Sequence, residues 1–69
     1  MTEQEVTSIL KNKGICPTRP RVAILKYVYE HFTHPTVDEV YTQLAPEIST
    51  LSKTTVYNTL RMYAEMGLC

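Results

Sequence analysis

Glycine is nearly missing from this 69-residue chain, which has Gly14 and Gly67 and no others. That scarcity excludes the glycine-rich phosphate loop and the glycine-flanked nucleophile elbow, the local settings of many nucleotide and acyl-transfer enzymes. Cysteine is equally sparse. Cys16 and Cys69 lie far apart and form no CxxC or CxxH cluster, so they give neither a disulfide framework nor a complete zinc site. No apolar run approaches membrane-spanning length, and the opening MTEQEVTSIL lacks the charged-then-apolar pattern of a secretory signal. The expectation is a cytoplasmic protein with reduced thiols and no membrane partner. Net charge is absent too, with seven bases against seven acids, and this argues against a bulk polycation. The length allows one small domain with a modest core. Internal repeats and low-complexity segments are lacking.

What is present is a segregation of charge. Lys11, Lys13, Arg19, Arg21 and Lys26 lie in a stretch from 11 to 29 that contains no acid. Glu30, Asp38, Glu39 and Glu47 then follow with no base before Lys53. Local asymmetry of this kind matters more to a polyanionic partner than the zero total does.

Periodicity and capping residues predict four helices. The first runs from about Glu3 to Lys13, with Thr2 and Glu5 as a capping box, Val6, Ile9 and Leu10 as its stripe, and Gly14 as its stop. The second is capped by Thr18 and carries Pro20 in its first turn, where a missing N–H costs nothing. Its face of Val22, Ile24, Leu25, Val28, Tyr29 and Phe32 is the widest apolar surface in the chain, which makes it the expected central helix. Thr33-His34-Pro35 breaks it. Thr36 and Glu39 open a third helix to about Ala45, striped by Val37, Val40, Tyr41 and Leu44 and ended by Pro46. The bridge EISTL is too short for periodicity to assign, although Leu51 suits a hydrophobic staple.

The fourth helix, Ser52 to Gly67, reads SKTTVYNTLRMYAEMG and has two unlike faces. Val56, Thr59, Leu60, Tyr63 and Met66 fall on a packing side; Thr54, Tyr57, Asn58 and Arg61 fall opposite, with Lys53 and Thr55 flanking near the start. No acid occurs on it before Glu65. The predicted fold is all-α, four helices with a helix-turn-helix made by the third and fourth. The connection from Pro46 to Leu51 exceeds the turn of ~3–4 residues in the simplest such motif, and winged relatives tolerate longer ones. Such relatives follow the recognition helix with a β-hairpin, which would begin here at Leu68-Cys69.

Three classes of function compete. As an enzyme, the chain would have to draw on Ser52, His31, His34, Asp38 and Cys16, yet helix capping accounts for most of its polar residues; the expectation is no catalysis. As a DNA reader, it would set Tyr57 and Asn58 against base edges in the major groove, where Asn bonds adenine and a tyrosine ring lies on thymine methyls. Ser52, Lys53, Thr54 and Thr55 surround a positive helix N-terminus suited to phosphate, and Arg21 and Arg61 add cations. As a non-catalytic helical interaction module, it would turn the Tyr57 face to a protein. His31-x-x-His34 is a weak metal signal, because a helix end separates the two and no third ligand accompanies them.

In order and spacing, the segments LKNKG, TRPR, AIL, HPTVDEVY and SKTTVYNTLRMYAEMGL resemble the N-terminal domain of the ferric uptake regulator family, and HPTVDEVY and TVYNTLR are closer to its peroxide-stress branch. The resemblance covers the chain from Leu10 onward. It implies that residues 1–69 are a winged-helix DNA-binding domain with the wing cut short. The parent would be a metal-dependent bacterial repressor whose dimerisation and metal-binding domain lies outside this chain. It implies a homodimer on an AT-rich inverted repeat of double-stranded DNA, a regulatory iron or manganese ion and a structural zinc in the full-length protein. It implies also that His34 contributes to the regulatory site, while this chain alone holds no metal tightly. In peroxide sensors, oxidation of that site's histidines releases the DNA. Cys16 stands where many relatives carry a Lys or Arg that reaches into the minor groove; Arg19 is the residue able to substitute. A metal-independent winged-helix regulator is the nearest alternative, in which His34 is an ordinary loop residue.

Overall fold

A computed structural model describes residues 2–31 and 35–68. Phe32, His34 and Cys69 lie outside them. Four helices follow in order: α1 (Glu3–Asn12), α2 (Arg19–Glu30), α3 (Val37–Leu44) and α4 (Lys53–Glu65). Among the described residues there is no strand.

Each helix starts where a hydroxyl side chain can take up an orphan amide. Thr2 accepts from the Glu5 N–H at 3.2 Å, Thr18 from Arg21 at 3.4 Å, Thr36 from Glu39 at 3.1 Å and Ser52 from Thr55 at 3.1 Å. Two helices end on the same device. Beyond α1, the Ile15 N–H reaches the Leu10 carbonyl at 2.9 Å and Gly14 reaches Lys11 at 3.0 Å. Beyond α4, Leu68 reaches Tyr63 at 2.8 Å and Gly67 reaches Ala64 at 3.2 Å. This is the Schellman pairing, which requires a left-handed residue at its centre. Gly14 at φ 76° and Gly67 at φ 73° supply it. In both cases the residue after the glycine, Ile15 or Leu68, turns back into the core.

The core is one cluster fed by every helix: Val6 and Leu10 from α1, Ile24 and Leu25 from α2, Val40 and Leu44 from α3, Val56 and Tyr63 from α4. α2 packs against each of the other three helices, whereas α1 packs against α2 alone; α3 and α4 pack on each other. The second helix is central, as its apolar width predicts. The bridge that periodicity left unassigned is a pair of turns, with Ile48 bonded to the Leu44 carbonyl and Leu51 to that of Ile48. Ile48 and Leu51 are both buried. They anchor the connection between α3 and α4, so its extra length does not leave α4 free to swing.

Candidate nucleic-acid interface

The site is built on α4. Ser52 caps it, and its hydroxyl lies 2.9 Å from that of Thr55, so two side-chain oxygens stand together at the helix start. The first turn contains no acid, in contrast to α1 with Glu3 and Glu5 and α3 with Asp38 and Glu39. An N-terminus left without its own carboxylate keeps its partial positive charge for an outside anion.

Burial divides α4 as its periodicity predicts. Val56, Thr59 and Tyr63 are buried; Thr54, Tyr57, Asn58 and Arg61 are exposed. Among the described residues Tyr57 stands out as the large hydrophobic side chain left exposed, with 53% of its surface in solvent. Thirteen residues make a rod of ~20 Å, and a helix of that kind fits a B-form major groove ~12 Å wide. The inward face is fastened by Tyr63, which is fully buried and donates its hydroxyl to the Arg21 carbonyl at 2.7 Å. That bond sets the first turn of α2 against the C-terminal half of α4.

The candidate cations are all engaged within the chain. Lys53 Nζ lies 3.2 Å from Asp38 Oδ1 of α3 and 5.8 Å from the centre of the Tyr41 ring. Arg61 Nε donates to Glu65 Oε1 at 3.2 Å, one helical turn along. Arg21 Nη1 donates to the Cys16 carbonyl at 3.1 Å, and Arg19 Nη2 to the Glu47 carbonyl at 3.0 Å. Arg19 thus spans an open groove of about 510 Å³ between α1, α2 and the α3–α4 connection. The structure therefore brings Ser52, Lys53, Thr54, Thr55, Tyr57, Asn58 and Arg61 onto one helix, while Arg19 and Arg21 stay at the start of α2 with their guanidinium groups turned to backbone oxygens. Sequence reasoning missed Asp38 and Tyr41 as neighbours of Lys53. They come from another helix, and no local spacing announces such a pair.

His31 caps the C-terminus of α2, stacked on Tyr27 with ring centres 3.9 Å apart. Its Nδ1 lies 2.8 Å from the Tyr27 carbonyl, which can only accept, so Nδ1 carries the proton. Among the described residues no three His, Cys, Asp or Glu side chains come together to hold a metal. His34 lies outside those residues. No described helix is long and apolar enough to cross a membrane.

Comparison with known proteins matches residues 12–69 to the ferric uptake regulator family. The peroxide-responsive repressor PerR of Staphylococcus saprophyticus is 42% identical over 66 residues, which cover 96% of this chain and 44% of that protein. The repressor of the same name from Staphylococcus aureus strain Mu50 is 40% identical over 65 residues, 94% of this chain and 44% of its own length. That of strain USA300 is 38% identical over the same span. The chain spans less than half the length of these relatives. With a family match that takes in all of α2, α3 and α4, the chain belongs to the ferric uptake regulator family.

Proposed function

We propose that this chain binds double-stranded DNA through α4, as the winged-helix-type DNA-binding part of a metal-responsive, cytoplasmic transcriptional repressor. One observation carries the reading: a capped helix with an acid-free first turn holds its apolar side in the core and turns Tyr57 and Asn58 outward. Asn58 can bond the N6 and N7 edge of adenine in bidentate fashion, and the Tyr57 ring can lie against thymine methyls. The hydroxyls of Ser52, Thr54 and Thr55, with the free amides of the first turn, suit phosphate oxygens. Lys53, Arg61, Arg21 and Arg19 are the cations available to the same backbone, each after giving up its present partner.

In this reading a homodimer places two copies of α4 on an AT-rich inverted repeat, and a hairpin wing and a dimerisation and metal-binding domain complete the protein. Iron or manganese is the proposed regulator, with peroxide sensing as the form that the similarity to PerR repressors favours. For the metal, the support is the resemblance around His34 alone. The described residues do not by themselves bring together a metal site.

Duplex binding by the full-length protein is expected to weaken steeply between ~50 and ~200 mM salt, because each neutralised phosphate releases counterions. Asn58→Ala should cost ~1–3 kcal/mol and relax base preference at one operator position. If Asn58→Ala binds every operator variant with the same affinity as the parent does, base reading by α4 is wrong. A protein partner on the same face is the second reading, favoured by the pairing of Lys53 and Arg61 with carboxylates. Under it, binding follows Tyr57 and hardly changes with salt.

A further inference from the structure

We infer that Asp38 is an electrostatic brake on DNA binding, which acts by holding Lys53 away from phosphate. The inference rests on the DNA-binding reading and concerns how much of its charge α4 can deliver. Three ion pairs occur among the described residues. Lys26–Glu30 and Arg61–Glu65 are ordinary pairs one turn apart on their own helices, and Lys53–Asp38 is the one that joins two helices.

Its placement is unusual. Lys53 is the first residue of α4, where a cation faces the positive end of the helix dipole and gains nothing from it. Asp38 lies in the first turn of α3, where a carboxylate is favoured by that helix's own dipole. The carboxylate therefore meets two positive groups at once: the N-terminal end of α3 and the Lys53 ammonium 3.2 Å away. Tyr41 adds a second restraint on Lys53, its ring centre 5.8 Å from the same nitrogen. A phosphate approaching the start of α4 meets a neutralised lysine with an aspartate beside it. For Lys53 to bond that phosphate it must leave both Asp38 and the ring. Both side chains are well exposed, Lys53 at 65% and Asp38 at 78%, so the hold can be broken and subtracts from affinity without abolishing it. This cost falls on the phosphate term, which is blind to base sequence and governs binding to random DNA.

The experiment measures binding of the full-length protein to random-sequence duplex across a salt series. Asp38→Asn should bind several-fold more tightly at low salt. It should also steepen the slope of log affinity against log salt, by at most about 0.9, the increment of one fully added phosphate contact. Asp38→Glu, which keeps the charge, should stay close to the parent slope. The double variant Asp38→Asn with Lys53→Gln should lose the added steepness. If Asp38→Asn leaves the slope unchanged while the parent binds duplex normally, the brake is wrong and the DNA-binding reading stands. If the double variant keeps the full gain, the effect is loss of a distant negative charge, and the role of Lys53 is overturned. If the parent shows no salt-dependent duplex binding at all, both proposals fall together. Circular dichroism of each variant checks that total helix content is retained. A variant that loses helix content counts against the brake as well, because it makes Asp38 a structural residue.

Discussion

Tyr63 shows how a single polar atom can fix the geometry of a small core. Its ring is fully buried, and leaving its hydroxyl buried without a partner would cost ~1–3 kcal/mol, so the hydroxyl finds an acceptor. It finds the Arg21 carbonyl at 2.7 Å, in the first turn of α2. Tyr63→Phe keeps the ring and removes the donor. Urea denaturation of that variant should show a loss of about 1 kcal/mol, with the slope of the transition unchanged. A variant as stable as the parent would show that the bond adds nothing. The helical period places Tyr63 on the packing face of α4 from sequence alone. The period says nothing of Arg21, because the two residues meet only after α2 and α4 have packed.

At the scale of the element, local chemistry explains where the helices begin and end. Thr2, Thr18, Thr36 and Ser52 are each recognisable caps, and each accepts the expected amide. Gly14 and Gly67 are recognisable stops, and each has the positive φ that a stop of this type needs. A methyl group added at either would meet nothing within 4 Å, so the whole cost of Gly14→Ala or Gly67→Ala is backbone strain. That strain is roughly 1–2 kcal/mol. Thermal denaturation should show both variants destabilised by similar amounts, and Asn, which tolerates the left-handed region, should cost less at each position. Unequal losses would mean that one of the turns is held by something other than φ. These features are legible because each depends on neighbours three to five residues away. The burial of Ile48 is not, since a lone isoleucine in a short bridge has no period to reveal it. The partners of Lys53 and Arg19 are hidden for the same reason as that of Tyr63: Asp38 and the Glu47 carbonyl reach them across the tertiary fold. The side chains of the candidate interface could thus be named from sequence, but their state of engagement could not.

The molecule as a whole is of ordinary density for its size. Its radius of gyration is 10.9 Å, against ~11 Å expected for a folded domain of this length. Small domains bury a lower fraction of their surface than large ones, and total stability for this length is roughly 4–10 kcal/mol. Within that narrow margin the four helices are not equal. α2 packs against all the other helices, and among the helices α1 packs against α2 alone. A helix held on one side can open while the rest stays folded, and amide hydrogen exchange under native conditions detects such openings. The amides of Val6 and Leu10 should exchange through a smaller free energy and depend less on added urea than those of Ile24, Leu25 and Tyr63. The latter should exchange together, only through global unfolding. If both groups show one common opening energy, the four helices form a single cooperative unit and α1 is not a separate one. If instead the two energies differ, the packing of α1 on one neighbouring helix divides this small protein, in kinetic terms, into a three-helix body that carries α4 and a detachable first helix whose loss leaves the exposed face of α4 in place.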